Sequence, residues 1–222
     1  MNNKVIIIGA GGHGKVIADI AEKVGYTDIV FLDDNPKVES CGIYKVVGGC
    51  KSALSYKNAD FIVAIGNTKV RRKIQSELIE MGLHIVSLIH PASVIAPNVV
   101  IGIGTVVMAG AVVNPYTEIG QGCIINTCAS VDHDCRIGDY VHVSVGAHVA
   151  GTVIIGDNSW VGAGATISNN IEIVEDCMIG AGAVVVKNIE ESATYIGIPA
   201  RKSGGVTLSC FISHISIWGC AA

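Results

Sequence analysis

The sequence predicts a two-part chain: an α/β N-terminal domain of Rossmann-like type, followed by an all-β parallel β-helix of hexapeptide repeats. Three observations carry this. Strand and helix signals alternate over the first ~90 of 222 residues. From Ile95 the hydrophobic period changes to six and holds without a miss to Val185. Glycine is plentiful, at 27 residues, while aromatics make up only 5%, which suits aliphatic packing with many tight turns.

In the first part, "KVIIIG" (4–9) is a buried-strand run, and "GKVIADIAEKVG" (14–25) has helical spacing with a glycine stop. "DIVFLDD" (28–34) and "DFIVAIGN" (60–67) read as second and third strands. A helix over "TKVRRKIQSELIEMG" (68–82) and a fourth strand, "HIVSLIH" (84–90), complete a small parallel sheet. Residues 1–90 are therefore expected to form one domain.

The second part is expected over 91–202. One residue in six from Ile95 gives Ile95, Ile101, Val107, Val113, Ile119, Ile125, Val131, Ile137, Val143, Val149, Ile155, Val161, Ile167, Ile173, Ile179 and Val185. Two residues before these aliphatics sit small or β-branched side chains such as Ser93, Thr105, Ala111, Cys123, Ala147 and Ala165. Each hexad makes one short strand and one corner, so three hexads close a triangular coil with Ile or Val on its axis. Coils then stack at the strand spacing of about 4.8 Å. Function is left to the outward positions.

A net charge of −4 provides no basic footprint for nucleic acid or anionic membrane. No apolar segment approaches the roughly 20 residues of a spanning helix, and the apolar start is too short for a signal peptide, so a cytoplasmic location is expected. Eight cysteines include no CxxC pair. Cys123, Cys135 and Cys177 share one phase of the repeat, as small core residues of a protein in a reducing compartment would.

Two motifs carry chemistry. Gly9, Gly11 and Gly14 form G-x-G-x-x-G between a strand and a helix, with Asp33 nineteen residues after Gly14. Glycines there let backbone approach phosphates, and a carboxylate can take a ribose hydroxyl. The domain has about four strands and no second mononucleotide half, too little for both ends of NAD; a tight strand–helix turn is the plain alternative. The second motif is "SVDHDCRIGDYVHVSVGAHVAG" (130–151), with His133, His142 and His148. Nine residues is half of an eighteen-residue coil, so His133 and His142 fall on different faces of one chain. His142 and His148, six apart, do so too, and no metal site is expected. A neutral imidazole at His133 could accept a proton from an attacking nucleophile, oriented by Asp132 or Asp134. The alternative is an exposed structural histidine.

With "GAGGHGK", "FLDD", "AIGN", "VDHD…HVSVGAHVAG" and a closing "IGIPAR" in this order, residues 3 to about 202 resemble the sialic acid O-acetyltransferase NeuD group of left-handed β-helix acyltransferases. Within it, the chain looks most like the nucleotide-amino-sugar N-acetyltransferases, including the bacillosamine-pathway type. The resemblance implies acetyl transfer from acetyl-CoA to the 4-amino group of a UDP-linked amino-deoxy sugar, by direct attack, in a homotrimer with acetyl-CoA between neighbouring β-helices. It favours His133 as base and Asp134 as its partner. It assigns Gly11, Gly12 and His13 to the diphosphate, and Asp33, Asp34, Gly66 and Asn67 to the uridine. His142, Gly151, Ile198, Pro199 and Arg201 fall on the acetyl-CoA side.

Rival readings keep the chemistry but change the acceptor to a sialic acid hydroxyl or GDP-perosamine, or discard chemistry for a sugar-binding or assembly module. An NAD-dependent enzyme is a third class. Gly151 could equally serve a corner, Asn126 a structural ladder, and His148 solvent. The stretch "SGGVTLSCFISHISIWGCAA" (203–222) lacks the hexad phase, and no role is assigned to it or to its Cys210, His214 and Cys220.

Overall fold

The structure, a computed structural model, describes residues 2–203. The expectations for Cys210, His214 and Cys220 lie outside the described residues. The α/β part runs β1 (Lys4–Ile8), α1 (Gly12–Lys23), β2 (Asp28–Leu32), a hairpin of β3 (Ser40–Cys41) and β4 (Tyr44–Lys45), a 3₁₀ turn (Cys50–Tyr56), β5 (Asp60–Val63), α2 (Thr68–Glu80) and β6 (His84–Ile85). The parallel sheet has the order β2-β1-β5-β6. Strand order reverses at β1, so the loops after β1, β2 and β5 meet at one carboxyl edge, the place where such sheets bind ligands.

Local chemistry explains the two helices. Gly14 lets α1 lie against the sheet: a Cβ there would sit 2.3 Å from the Gly9 carbonyl oxygen. Ile17, Ala18, Ile20 and Ala21 form its buried face. Asn67 caps α2, its side chain accepting the Val70 N–H at 3.1 Å.

The expected strand "HIVSLIH" is two strands. His84–Ile85 closes the α/β sheet, while β7 (Leu88–Ile89) pairs with Val106–Val107 and begins the β-helix. Ile89 is in phase with Ile95, so the hexad array starts one repeat earlier than its unbroken run suggested. The hairpin and 3₁₀ turn between β2 and β5 were also absent from the sequence reading, because they carry neither a helical nor an alternating pattern.

From Leu88 the chain winds as a left-handed parallel β-helix with three flat faces. The first face stacks Leu88–Ile89, Val106–Val107, Ile124–Ile125, His142–Val143, Trp160–Val161, Met178–Ile179 and Thr194–Ile196, with Arg201–Lys202 antiparallel at its end. The second stacks six strands from Val94–Ile95 to Val184–Val185, and the third five from Val100–Ile101 to Glu172–Ile173. Registers advance by eighteen residues per coil, as in Val107↔Ile125 and Ile125↔Val143. The hexad aliphatics from Val107 to Val185 are buried on the axis, joined by Cys123, Cys135 and Cys177, while Ile95 and Ile101 pack partly exposed at the open end.

Corners demand a specific backbone. Every sixth residue from Asn98 to Gly182 takes a positive φ between 55° and 71°. Glycine, Asn and Asp occupy most of these positions, as the left-handed region prefers. Asp134 is one of them, at φ 56°, so the residue beside His133 also turns the chain.

The α/β part docks on the first face. Leu88, Val106, Met108 and Ile124 share a buried cluster with Ile17, Ile20 and Phe31. Burying an aliphatic or aromatic side chain contributes about 1.5–3 kcal/mol each, so a cluster of this size holds the two parts together.

Candidate active site

All but three of the predicted residues gather in three places. The first is the corner between the second and third faces. His133 projects there half-exposed, with Nδ1 2.8 Å from Asp134 Oδ2. Asp132 is turned away from the ring: its Oδ1 accepts the His133 backbone N–H at 2.8 Å and the Asn114 amide at 2.7 Å. Asp134 is thus the carboxylate that touches the imidazole, and its hydrogen bond, with help from the charge of Asp132, raises the His133 pKa above its ordinary value. An Nδ1–H donated to Asp134 leaves Nε2 as the free, basic nitrogen.

Gly151 lies one coil along, eighteen residues on. A Cβ there would be 2.6 Å from His133 Nε2 and 2.7 Å from Cε1. Neither expected role, a pantetheine path or a corner turn, mentioned this: the missing side chain is the space the imidazole occupies. A groove of about 260 Å³ runs beside this corner, lined by Asn114, Ser130, Asp132, His148, Val149, Ala150 and Thr166. His148 is exposed but engaged, its Nδ1 2.8 Å from Ser130 Oγ.

The second place is the junction of the α/β part with the first face. His142 faces outward from its strand, beside the inward Val143, yet is only 6% exposed. Its ring lies 4.2 Å, centroid to centroid, from that of Trp160. The tautomer follows from the hydrogen bonds. Asn126 Oδ1 takes the Thr127 N–H at 2.8 Å, so its amide nitrogen faces His142 Nε2 at 3.0 Å. Nε2 accepts, Nδ1 carries the proton, and that buried Nδ1–H has no partner among the described residues. Asn126 therefore orients a histidine rather than forming a ladder. Burial, then the charges of Arg71 and His13, lower the His142 pKa to about 3. His13 is lowered to about 4, by burial and then Arg71, and its Nε2 is likewise buried without a partner among the described residues. The structure thus groups His142 with His13, not with Gly151.

The third place is the carboxyl edge of the α/β sheet. Gly11 caps α1 without a side-chain bond, and nothing lies within 4 Å of a Cβ built on Gly11, Gly12 or Gly66. Backbone groups there are accessible to an anion. Asp33 accepts the Ala10 N–H at 2.8 Å and the Asn35 N–H at 2.9 Å, and Asp34 accepts the Cys50 N–H at 2.7 Å. Both acids border a pocket of about 370 Å³ with Asn35, Pro36, Glu39 and Gly49. The acids thus shape the pocket as well as line it. Asn67 Oδ1 is committed to its cap.

Ile198, Pro199 and Arg201 sit apart from these, at the far end of the β-helix. Ile198 is 77% exposed and Arg201 bonds the neighbouring Ala200 carbonyl. Among the described residues no three His, Cys, Asp or Glu side chains converge as a metal-binding group, and no helix is long and apolar enough to cross a membrane.

One residue escaped the sequence reading. Arg71, on α2, is 1% exposed at the junction. Only its place in an otherwise polar helix pattern could have drawn attention, and polar helix residues ordinarily face water.

Comparison with known proteins agrees with this architecture. Residues 4–78 match the PglD N-terminal domain, and residues 152–187 match the bacterial transferase hexapeptide (six repeats). A curated relative, UDP-N-acetylbacillosamine N-acetyltransferase of Bacillus subtilis, is 37% identical over 110 residues. That match covers 47% of this chain and 51% of the relative, about half its length. The acetyltransferase domain of PglB from Neisseria gonorrhoeae, solved with acetyl coenzyme A, is 40% identical with a TM-score of 0.88, covering 91% of this chain and all of that one. PerB from Caulobacter crescentus, solved with CoA and GDP-perosamine, is 37% identical with a TM-score of 0.85, covering 90% and 97%. With full-length correspondence at this identity and the same order of domains, the chain belongs to the family of hexapeptide-repeat acetyltransferases that carry a PglD N-terminal domain.

Proposed function

We propose that this protein is an acetyl-CoA-dependent N-acetyltransferase acting on the 4-amino group of a UDP-linked amino-deoxy sugar. The observation that carries the reading is the His133–Asp134 pair, exposed on a corner whose neighbouring coil is vacated by Gly151. His133 Nε2 removes a proton from the sugar amine as its nitrogen attacks the thioester carbonyl carbon. The tetrahedral intermediate collapses, the C–S bond breaks, and the imidazolium returns the proton to the CoA thiolate. An amide and a free thiol result, with no acyl-enzyme. Asp134 holds the ring and stabilises the imidazolium.

The α/β pocket bordered by Asp33 and Asp34 holds the nucleotide, and Gly11, Gly12 and His13 face the diphosphate, with Gly66 and Asn67 beside them. The buried Nδ1–H of His142 serves an incoming substrate oxygen at the junction. Gly151, Ile198, Pro199 and Arg201 border the path of acetyl-CoA. A homotrimer supplies that path between neighbouring β-helices. Support comes from the outward Val94 and Val100, 63% and 61% exposed, and from the groove beside His133. The unpaired cysteines Cys41, Cys50, Cys123, Cys128, Cys135 and Cys177 suit a reducing cytoplasm.

A thiol-release assay with acetyl-CoA against UDP- and GDP-linked amino sugars tests the reading. Thiol release with a UDP-4-amino sugar is expected. Preference for GDP-perosamine, the ligand of one relative, would move the acceptor, and no release with any member would remove the activity. Light scattering that finds a monomer at micromolar concentration would remove the trimer.

A further inference from the structure

We infer that Arg71 is a positioning residue: its buried guanidinium ties the nucleotide loop to the β-helix and sets the acceptor in register with the catalytic corner. The inference rests on the proposed transferase reading. Arg71 donates to four carbonyls, two on each side of the junction. Nη1 reaches Ile65 O at 2.9 Å and Gly66 O at 2.8 Å; Nε reaches Gly122 O at 2.7 Å and Nη2 reaches Tyr140 O at 2.8 Å. None of these partners is a carboxylate. Burial lowers its pKa only to about 10, so it remains a cation at neutral pH.

A buried cation is a poor way to gain stability, since well-packed apolar residues commonly do as well or better. What it supplies is geometry: a planar fork whose donors point in fixed directions. Its neighbours on α2 follow the same column of corners. Gln75 reaches Ile103 O at 3.3 Å, Arg72 reaches Asn158 at 3.2 Å, and Lys69 lies 3.7 Å from Asp176. Five successive corners, about 4.8 Å apart, are thus reached from fewer than two helical turns, the long side chains fanning out along the column. These neighbours hold the helix to the β-helix, but Arg71 also grips the Ile65–Gly66 backbone. The same charge helps keep His13 and His142 neutral.

The test uses full-length Arg71→Lys, which keeps the charge but cannot span four carbonyls, and Arg71→Met, which removes the buried charge at similar length. Kinetics with acetyl-CoA and a UDP-linked 4-amino-4,6-dideoxy sugar are run well below each unfolding midpoint. We expect kcat to fall about tenfold or more in both variants, with both KM values within about threefold, as misplacement of a bound reactant does. Hydrogen exchange is expected to quicken at residues 64–67 and 120–123 in both. Wild-type kcat in Arg71→Lys, or a loss that tracks only the folded fraction, would overturn the inference. If the wild type does not acetylate the sugar, the transferase reading fails on its own, and unchanged exchange at those segments would separately refute the brace.

Discussion

Replacing Gly151 by alanine puts one methyl where the His133 ring lies. Its Cβ would stand 2.6 Å from Nε2, whereas ordinary contact begins at 3.4 Å, so the ring must retreat by about 0.8 Å. Nothing rigid opposes the retreat, because the His133 side chain is half-exposed and can swing outward. Gly151 has no positive φ to strain an alanine, and loss of chain entropy in the unfolded state offsets part of any packing cost by about 0.4–1 kcal/mol. Stability should therefore change by less than about 1 kcal/mol. Catalysis should not be spared, since a displacement near 1 Å can reduce turnover about 10²-fold. The assay is steady-state thiol release with calorimetric binding of acetyl-CoA alongside: kcat falls about a hundredfold and the thermal midpoint holds. Gly138→Ala is the contrast. There a Cβ meets the Asp157 N–H nitrogen at 2.8 Å and the Ile155 carbonyl oxygen at 3.0 Å, so the clash is with backbone and should cost about 1–3 kcal/mol. Full turnover in Gly151→Ala would refute the idea that this glycine exists to seat the imidazole.

His133→Ala should lower turnover by about 10²–10⁴-fold while acetyl-CoA binding, followed by calorimetry, is nearly intact. Unchanged turnover removes His133 from the mechanism. Asp134→Asn bears on pH. The free base is the active form, and Asp134 raises its pKa, so wild-type activity should climb as pH rises through a value above 6.5. In the variant that acid limb should move to lower pH while the plateau falls; a limb that stays put would detach Asp134 from the titration.

The route from sequence to site was uneven, and particular residues show why. The aliphatics from Val107 to Val185 were readable because each is placed by its neighbours within one hexad, a local rule repeated until chance is excluded. His133 was readable as a histidine between two carboxylates, but the residues alone left Asp132 and Asp134 open, and only the folded corner puts Asp134 Oδ2 on the ring. Gly151 was visible as a glycine but not as a seat, since its relation to His133 exists only once coils stack eighteen residues apart. His142 was legible as the outward neighbour of Val143, but its burial was not, since the groups around it come from the next coil and from the other domain. "HIVSLIH" was one apolar run that serves two sheets, and no local pattern marks where a strand changes partners.

The sequence by itself determined the scaffold: period-six aliphatics that can be buried only by coiling, left-handed corners filled largely by Gly, Asn and Asp, and a glycine loop opening a helix. Only the tertiary structure decided which polar groups meet. Arg71 bridges carbonyls 51 and 69 residues away, and His142 lies buried beside groups from another domain. Periodicity reports which way a side chain faces; what covers that face depends on how the two parts dock, and that is encoded in shape and charge across the junction.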